Sequence, residues 1–246
     1  INNQPDGINI NDHCGSTHLE GLKKFVIENK LSLGIAYDGD GDRCLAIDEK
    51  GNEIDGDKLL AIIASNLKKQ GKLKNDTIVA TVMSNLGLNK YAKENNFTLL
   101  QTKVGDRYVL EEMLKGDYNL GGEQSGHVIL LDYNPTGDGI LTSLMLIKTM
   151  LETNKNASEL ADMVKLYPQV LINSKVDADK KYDYEKDEII KEAIKKLEDE
   201  FAGNGRVLIR PSGTEPLVRV MIEGENQEYI TKKAREIADL IEERLK

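Results

Sequence analysis

At 246 residues, with 39% apolar and 30% charged side chains, the chain is long enough for one large or two ordinary domains with a packed core. A net charge of −9, from 42 acidic and 33 basic side chains, excludes nucleic acid and anionic membrane surfaces as general partners, while a small basic pocket remains compatible with phosphate. No apolar run approaches the roughly 20 residues that span a bilayer, the start lacks the basic and apolar regions of a signal peptide, and three Phe without Trp offer poor stacking platforms for single strands. Cys14 and Cys44 stand thirty residues apart without metal-ligand spacing, which points to reduced thiols in a cytoplasmic protein. The first residue is Ile rather than Met, so a fragment or processed chain is expected.

From the N-terminus, His18 to Asn29 carries Leu19, Leu22, Phe25 and Val26 at helical spacing. Strands are expected at Leu33 to Tyr37 and Cys44 to Asp48, with a turn at Lys50-Gly51-Asn52. Two strands and a helix bury too little surface to stand alone. Segment 1–56 therefore reads as a partial α/β domain whose partner lies upstream of Ile1.

Between those strands runs Asp38-Gly39-Asp40-Gly41-Asp42-Arg43. Carboxylates at every second position repel one another unless a cation neutralises them, and the glycines let the backbone curl until alternate oxygens converge. Hard oxygen ligands without His or Cys favour Mg2+ over zinc. An EF-hand register places Asp38, Asp40, Asp42 and Glu49 at loop positions 1, 3, 5 and 12. That reading fails because position 6 is Arg43 where glycine is needed, and because the flanks read as strands. The bland alternative is a solvated acidic turn.

From Asp57 the pattern alternates: helix Asp57 to Lys69, strand Thr77 to Val82, helix Leu86 to Glu94, strand Phe97 to Thr102, helix Asp106 to Leu114, a short strand ending at Gly121, strand His127 to Leu131, helix Gly139 to Leu151 and helix Ala157 to Leu166. This alternation over 57–167 implies a mostly parallel sheet covered on both faces, with ligands at the carboxyl ends of its strands. Lys103-Val104-Gly105-Asp106-Arg107 opens a helix after a strand, where free amides and two cations can meet an anion, or where Asp106 simply serves the first turn. In Gly121-Gly122-Glu123-Gln124-Ser125-Gly126-His127 the glycines permit close approach of a ligand, and Glu123, Ser125 and His127 can hydrogen-bond sugar hydroxyls. His127 suits proton transfer by its ordinary pKa, although a lone His more often only makes hydrogen bonds. A glycine-rich turn with a polar edge is the plainer account.

After Pro168 the pattern changes. Strands at Val170 to Val176, Val207 to Arg210 and Leu217 to Glu223, with amphipathic helices Glu185 to Phe201 and Gln227 to Lys246, describe an α+β domain over 168–246 with two helices on one side of a sheet. Arg210-Pro211-Ser212-Gly213-Thr214-Glu215-Pro216 joins two of its strands. A guanidinium, two hydroxyls and a permissive glycine make an anion cradle, with Arg219 in reach if its side chain turns toward the loop. A tight surface turn is the competing reading. No GxxxxGK[ST], GxGxxG or GxSxG motif occurs, which removes the usual support for nucleotide hydrolysis, dinucleotide redox chemistry and serine hydrolysis.

Taken in order and at these separations, the runs DGDGDR, VGDRYV, GEQSGH and RPSGTEP, with Cys14-Gly15-Ser16-Thr17-His18, resemble the α-D-phosphohexomutase superfamily over essentially the whole chain. Members have four domains around a cleft. The resemblance implies an α/β fold of mixed or parallel sheets flanked by helices, followed by a C-terminal α+β domain, with 1–56 matching the latter part of the second domain, 57–167 the third and 168–246 the fourth. It implies interconversion of glucosamine 6-phosphate and glucosamine 1-phosphate, toward UDP-N-acetylglucosamine and cell-wall synthesis, through an enzyme phosphoserine and a bisphosphate intermediate. Mg2+ would be held by Asp38, Asp40 and Asp42, and sugar hydroxyls by Glu123 and Ser125. Arg210, Ser212, Gly213, Thr214 and Arg219 would bind the phosphate that stays in place. Asp106 and Arg107 would contact phosphate, and His127 and Arg43 would serve the chemistry. The implied partners are a phosphorylated hexosamine, the N-terminal domains of the same enzyme and, in the intact enzyme, a second copy. No Thr/Ser-Ala-Ser-His-Asn-Pro-like phosphoserine loop occurs, so this chain alone is expected to be inactive. Mannose- or glucose-phosphate mutation and a non-catalytic phosphosugar-binding module are the alternatives.

Overall fold

A computed structural model describes residues 1–246. Leu33–Tyr37 (β1) and Cys44–Asp48 (β2) pair antiparallel from Leu33 opposite Asp48 to Tyr37 opposite Cys44. The acidic run 38–43 is thus a hairpin connection, and the closing pair brings its two ends together. Glu53–Ile54 (β3), too short to give a periodic signal in the sequence, adds to β2. Buried Asp48 ties the intervening turn by accepting from the Lys50 and Asn52 amides at 2.9 and 2.8 Å. Helix Glu20–Glu28 (α1) is preceded by a short 3-10 turn at Gly15–Thr17. Leu19 and Val26 pack on Ala36 and Ile47 of the hairpin. Phe25, expected on that apolar face, is instead exposed.

Gly56–Lys69 (α2) explains how residues 1–56 gain cover. Asp55 caps it, accepting from the Lys58 amide at 3.0 Å. Leu59 to Ala64 are all fully buried, the signature of a helix enclosed on every side. Leu59 and Ile62 join Ala46 and Ile54 of the hairpin sheet, together with Leu146 of Gly139–Thr153 (α5) and Leu160 of Ala157–Ala161 (α6). The sheet expected to find its partner upstream of Ile1 is therefore covered on one face by helices that follow it in the chain. Ile1–Lys165 forms one compact unit and Leu166–Lys246 a second.

The second sheet of the first unit has the order β5-β4-β6-β7, made of Thr77–Thr81 (β4), Thr98–Thr102 (β5), Leu120–Gly122 (β6) and Val128–Leu130 (β7). β4 runs parallel to β5 and β6, while β7 returns antiparallel to β6. Every residue of β4 is buried. On one face Val79 and Ile129 meet Val109 and Met113 of Asp106–Gly116 (α4). α2 packs against β6, and Leu86–Glu94 (α3) against β5. α6 is shorter than its apolar pattern suggested, because Asp162 to Val164 leave the helix in turns.

The second unit is an antiparallel sheet of order β8-β10-β9, from Gln169–Lys175 (β8), Gly205–Pro211 (β9) and Leu217–Gly224 (β10). Helices Glu188–Phe201 (α7) and Gln227–Leu245 (α8) cover one face: Ile190, Leu197, Ile230, Ile237 and Ile241 meet Val207, Val218, Val220 and Ile222. Because strand side chains alternate, Arg206, Leu208 and Arg210 line the other face opposite Glu223, Met221 and Arg219. No helix of the chain is long and apolar enough to cross a membrane.

Candidate functional site

The hairpin connection gathers Asp38, Asp40 and Asp42 so that one carboxylate oxygen of each lies within 4.8 Å of the others. Octahedral Mg2+ with bonds of 2.0–2.1 Å places opposite ligands about 4.2 Å apart, a span comparable to the 4.8 Å within which these oxygens lie. Gly41 turns the chain at φ +72°, a conformation that side chains disfavour. Asp38 Oδ1 accepts from the Arg43 amide at 3.2 Å, with Arg43 Nε 3.8 Å from Asp38 Oδ2. Asp40 is exposed and makes no hydrogen bond within the chain. Asp42 Oδ1 is buried without a partner, which is costly for a carboxylate unless a cation meets it. An all-oxygen donor set with one orphaned buried oxygen fits a hard divalent cation.

His127 approaches the loop from β7. Its Nδ1 lies 2.9 Å from Asp42 Oδ2, and its Nε2 accepts from the Gly137 amide at 3.2 Å. The ring is buried, and neither nitrogen is left for proton transfer in this geometry. Glycines permit the contact. A Cβ on Gly137 would sit 2.4 Å from His127 Cε1, and one on Gly139 would sit 2.5 Å from the Arg43 carbonyl oxygen. Gly139 also donates to the Gly41 carbonyl at 2.9 Å. Within Pro135-Thr136-Gly137-Asp138-Gly139 only Gly139 was legible, as the start of α5; the run's contact with the acidic loop, about 100 residues upstream, has no local signature.

The glycine-rich loop is held to the same region, since Gly126 accepts at its carbonyl from the Cys44 amide and Gln124 from the Gly56 amide, at 3.0 and 2.9 Å. Glu123 Oε1 accepts from the Gly105 amide at 3.1 Å, linking that loop to the start of α4. Ser125 is exposed. Asp106 is exposed, with Oδ2 4.0 Å from His127 Nε2. Arg107 is drawn away along α4 by Glu111, its Nε donating to Oε1 at 2.7 Å. That bond and charge hold the guanidinium above its ordinary pKa.

In the second unit Arg210 and Arg219 stand directly opposite each other on β9 and β10. Like charges so placed destabilise a sheet, and the Nε atoms of both are buried without a hydrogen-bond partner. Burial first, then the Arg219 charge, lowers the pKa of Arg210. Arg219 Nη2 lies 3.5 Å from Ser212 Oγ. Ser212 is buried, and its amide donates to the Leu217 carbonyl at 2.8 Å. Gly213 and Thr214 are exposed at the tip, where a Cβ on Gly213 would meet open space. Lys181, missed in the sequence, donates to the Ser212 carbonyl at 3.0 Å and adds a third cation beside the loop.

The chain is 62% identical over 245 residues to a phosphoglucosamine mutase of Caldicellulosiruptor saccharolyticus and 59% identical over 245 residues to that of Ruminiclostridium cellulolyticum, covering all of this chain and 55% of each relative. It therefore spans about half the length of the curated relatives it matches. Its fold is also that of the Aspergillus fumigatus N-acetylphosphoglucosamine mutase solved in complex with GlcNAc-6P and magnesium, with a TM-score of 0.73 at 18% identity over 96% of this chain and 54% of the other. Residues 55–167 match the phosphoglucomutase/phosphomannomutase alpha/beta/alpha domain III and residues 171–240 the C-terminal domain. With both domains in order over most of its length, the chain belongs to the phosphoglucomutase/phosphomannomutase family.

Proposed function

We propose that the chain is the metal- and phosphate-binding portion of a phosphoglucosamine mutase, acting in the cytoplasm on glucosamine 6-phosphate and glucosamine 1-phosphate. The observation that carries this reading is the acidic hairpin, three carboxylates converging with one buried oxygen unpartnered. Identity near 60% to phosphoglucosamine mutases supports the amino-sugar substrate over mannose or glucose phosphates.

Asp38, Asp40 and Asp42 would hold Mg2+, with Arg43 bracing Asp38. Bound there, the ion supplies positive charge to offset the negative charge that develops on a phosphoryl group in transfer. Glu123, one oxygen committed to Gly105, offers the other to a sugar hydroxyl, and Ser125 can do the same. Arg210 and Arg219, with the free amides of Gly213 and Thr214, would bind the phosphate that stays in place and so fix the sugar's orientation. Asp106 lies near His127 and would order water or hydroxyls there. Arg107 would have to leave Glu111 to reach a phosphate.

Calorimetric titration of the purified chain with glucosamine 6-phosphate in Mg2+ tests this. Binding is expected to exceed that of mannose 6-phosphate, with no conversion to the 1-phosphate, because no phosphoserine loop occurs in the sequence. Turnover by the chain itself, or binding of neither sugar, contradicts the reading.

A further inference from the structure

We infer that His127 is a positioning residue for Asp42, itself oriented by the Gly137 amide, so that the turn ahead of α5 presets one oxygen of the metal loop. The inference rests on the reading that Asp38, Asp40 and Asp42 hold a divalent cation. A backbone N–H can only donate, so Nε2, receiving the Gly137 amide at 3.2 Å, is an acceptor. The ring proton then sits on Nδ1, which donates to Asp42 Oδ2 at 2.9 Å. Asp106 Oδ2, 4.0 Å from Nε2, is beyond hydrogen-bond distance and does not reverse that assignment.

The consequence falls on Asp42. With Oδ2 committed to His127, Oδ1 is the oxygen left for a cation, and it is the one buried without a partner. A ligand carboxylate whose other oxygen is fixed by a hydrogen bond loses less rotational freedom when metal arrives. Only glycine fits beside the ring at 137, since a Cβ there would fall 2.4–2.7 Å from three ring atoms. Gly139 grips the same loop through its bond to the Gly41 carbonyl. In this arrangement His127 braces Asp42 through Nδ1.

Two measurements on the full chain test the role. Long-range 15N–1H correlation of the metal-free protein should show His127 protonated at Nδ1; an Nε2-protonated ring overturns the inference without any mutation. Mn2+ affinity, followed by electron paramagnetic resonance, should fall at least about tenfold in His127→Gln, whose amide reaches toward the Nε2 position, and stay within about threefold of wild type in His127→Asn, whose amide N–H replaces Nδ1. Equal affinity in wild type and His127→Gln overturns the positioning role while leaving the metal loop standing. Absence of Mn2+ binding by the wild-type chain removes the metal reading and the inference with it.

Discussion

Replacing Asp40 with Asn should weaken Mg2+ binding by more than about 100-fold, since loss of even an outer-shell partner costs 10–100-fold. The substitution is clean because Asp40 is exposed and holds nothing else in place. In the metal-free protein it removes one of three mutually repelling carboxylates within 4.8 Å, so thermal unfolding in chelator should be unchanged or slightly later. Stability gained from the ion reports the difference. At a Mg2+ concentration 100 times the wild-type dissociation constant the stabilisation is about 2.7 kcal/mol, and a hundredfold weaker site leaves about 0.4 kcal/mol. Unfolding scans with and without Mg2+ measure both limbs. A variant that keeps the full Mg2+ stabilisation removes the acidic hairpin from the site.

Arg210→Ala should weaken phosphosugar binding by on the order of 1.5–3 kcal/mol, the usual worth of a hydrogen bond to a charged group, which is roughly 10- to 150-fold. The metal-free, ligand-free protein should not be destabilised in proportion. Arg210 faces Arg219 across the strand pair, and removing one of two opposed cations relieves their repulsion. A structural arginine behaves in the opposite way: Arg206 is ion-paired to fully buried Glu223 through Nε at 2.7 Å, and its loss takes the Arg206 cation from a buried carboxylate. Calorimetry with glucosamine 6-phosphate and urea unfolding of the Arg210 and Arg206 variants separate the two roles. Unchanged sugar-phosphate affinity in Arg210→Ala would make RPSGTEP an ordinary turn.

Much of this architecture was legible because its elements announce themselves locally. The helix at 227–246 and the strands at 33–37 and 44–48 follow periodicity that needs no knowledge of the rest of the fold. The acidic hairpin was legible because two apolar runs bracketed an alternation of Asp and Gly that has few physical uses. What escaped were relations between distant segments. β3 has two residues and no period. The all-round burial of α2 depends on α5 and α6 arriving later in the chain. The register that sets Arg219 against Arg210 follows from the hairpin pairing, whereas the sequence alone showed only that the two could meet. Likewise, His127 looked like a proton carrier because histidine is the residue type that most often serves as one. Its actual surroundings, Asp42 on one nitrogen and Gly137 on the other, are created by folding.

The role of the acidic hairpin turns on whether alternate aspartates on a glycine bend enclose a divalent ion. Anomalous diffraction from crystals of the chain grown with Mn2+ measures this most directly. A single strong peak bonded to one oxygen each of Asp38, Asp40 and Asp42, with the Asp42 bond made by Oδ1, is the predicted result. A map in which the metal binds elsewhere, or in which the three carboxylates turn to solvent around no peak, contradicts it.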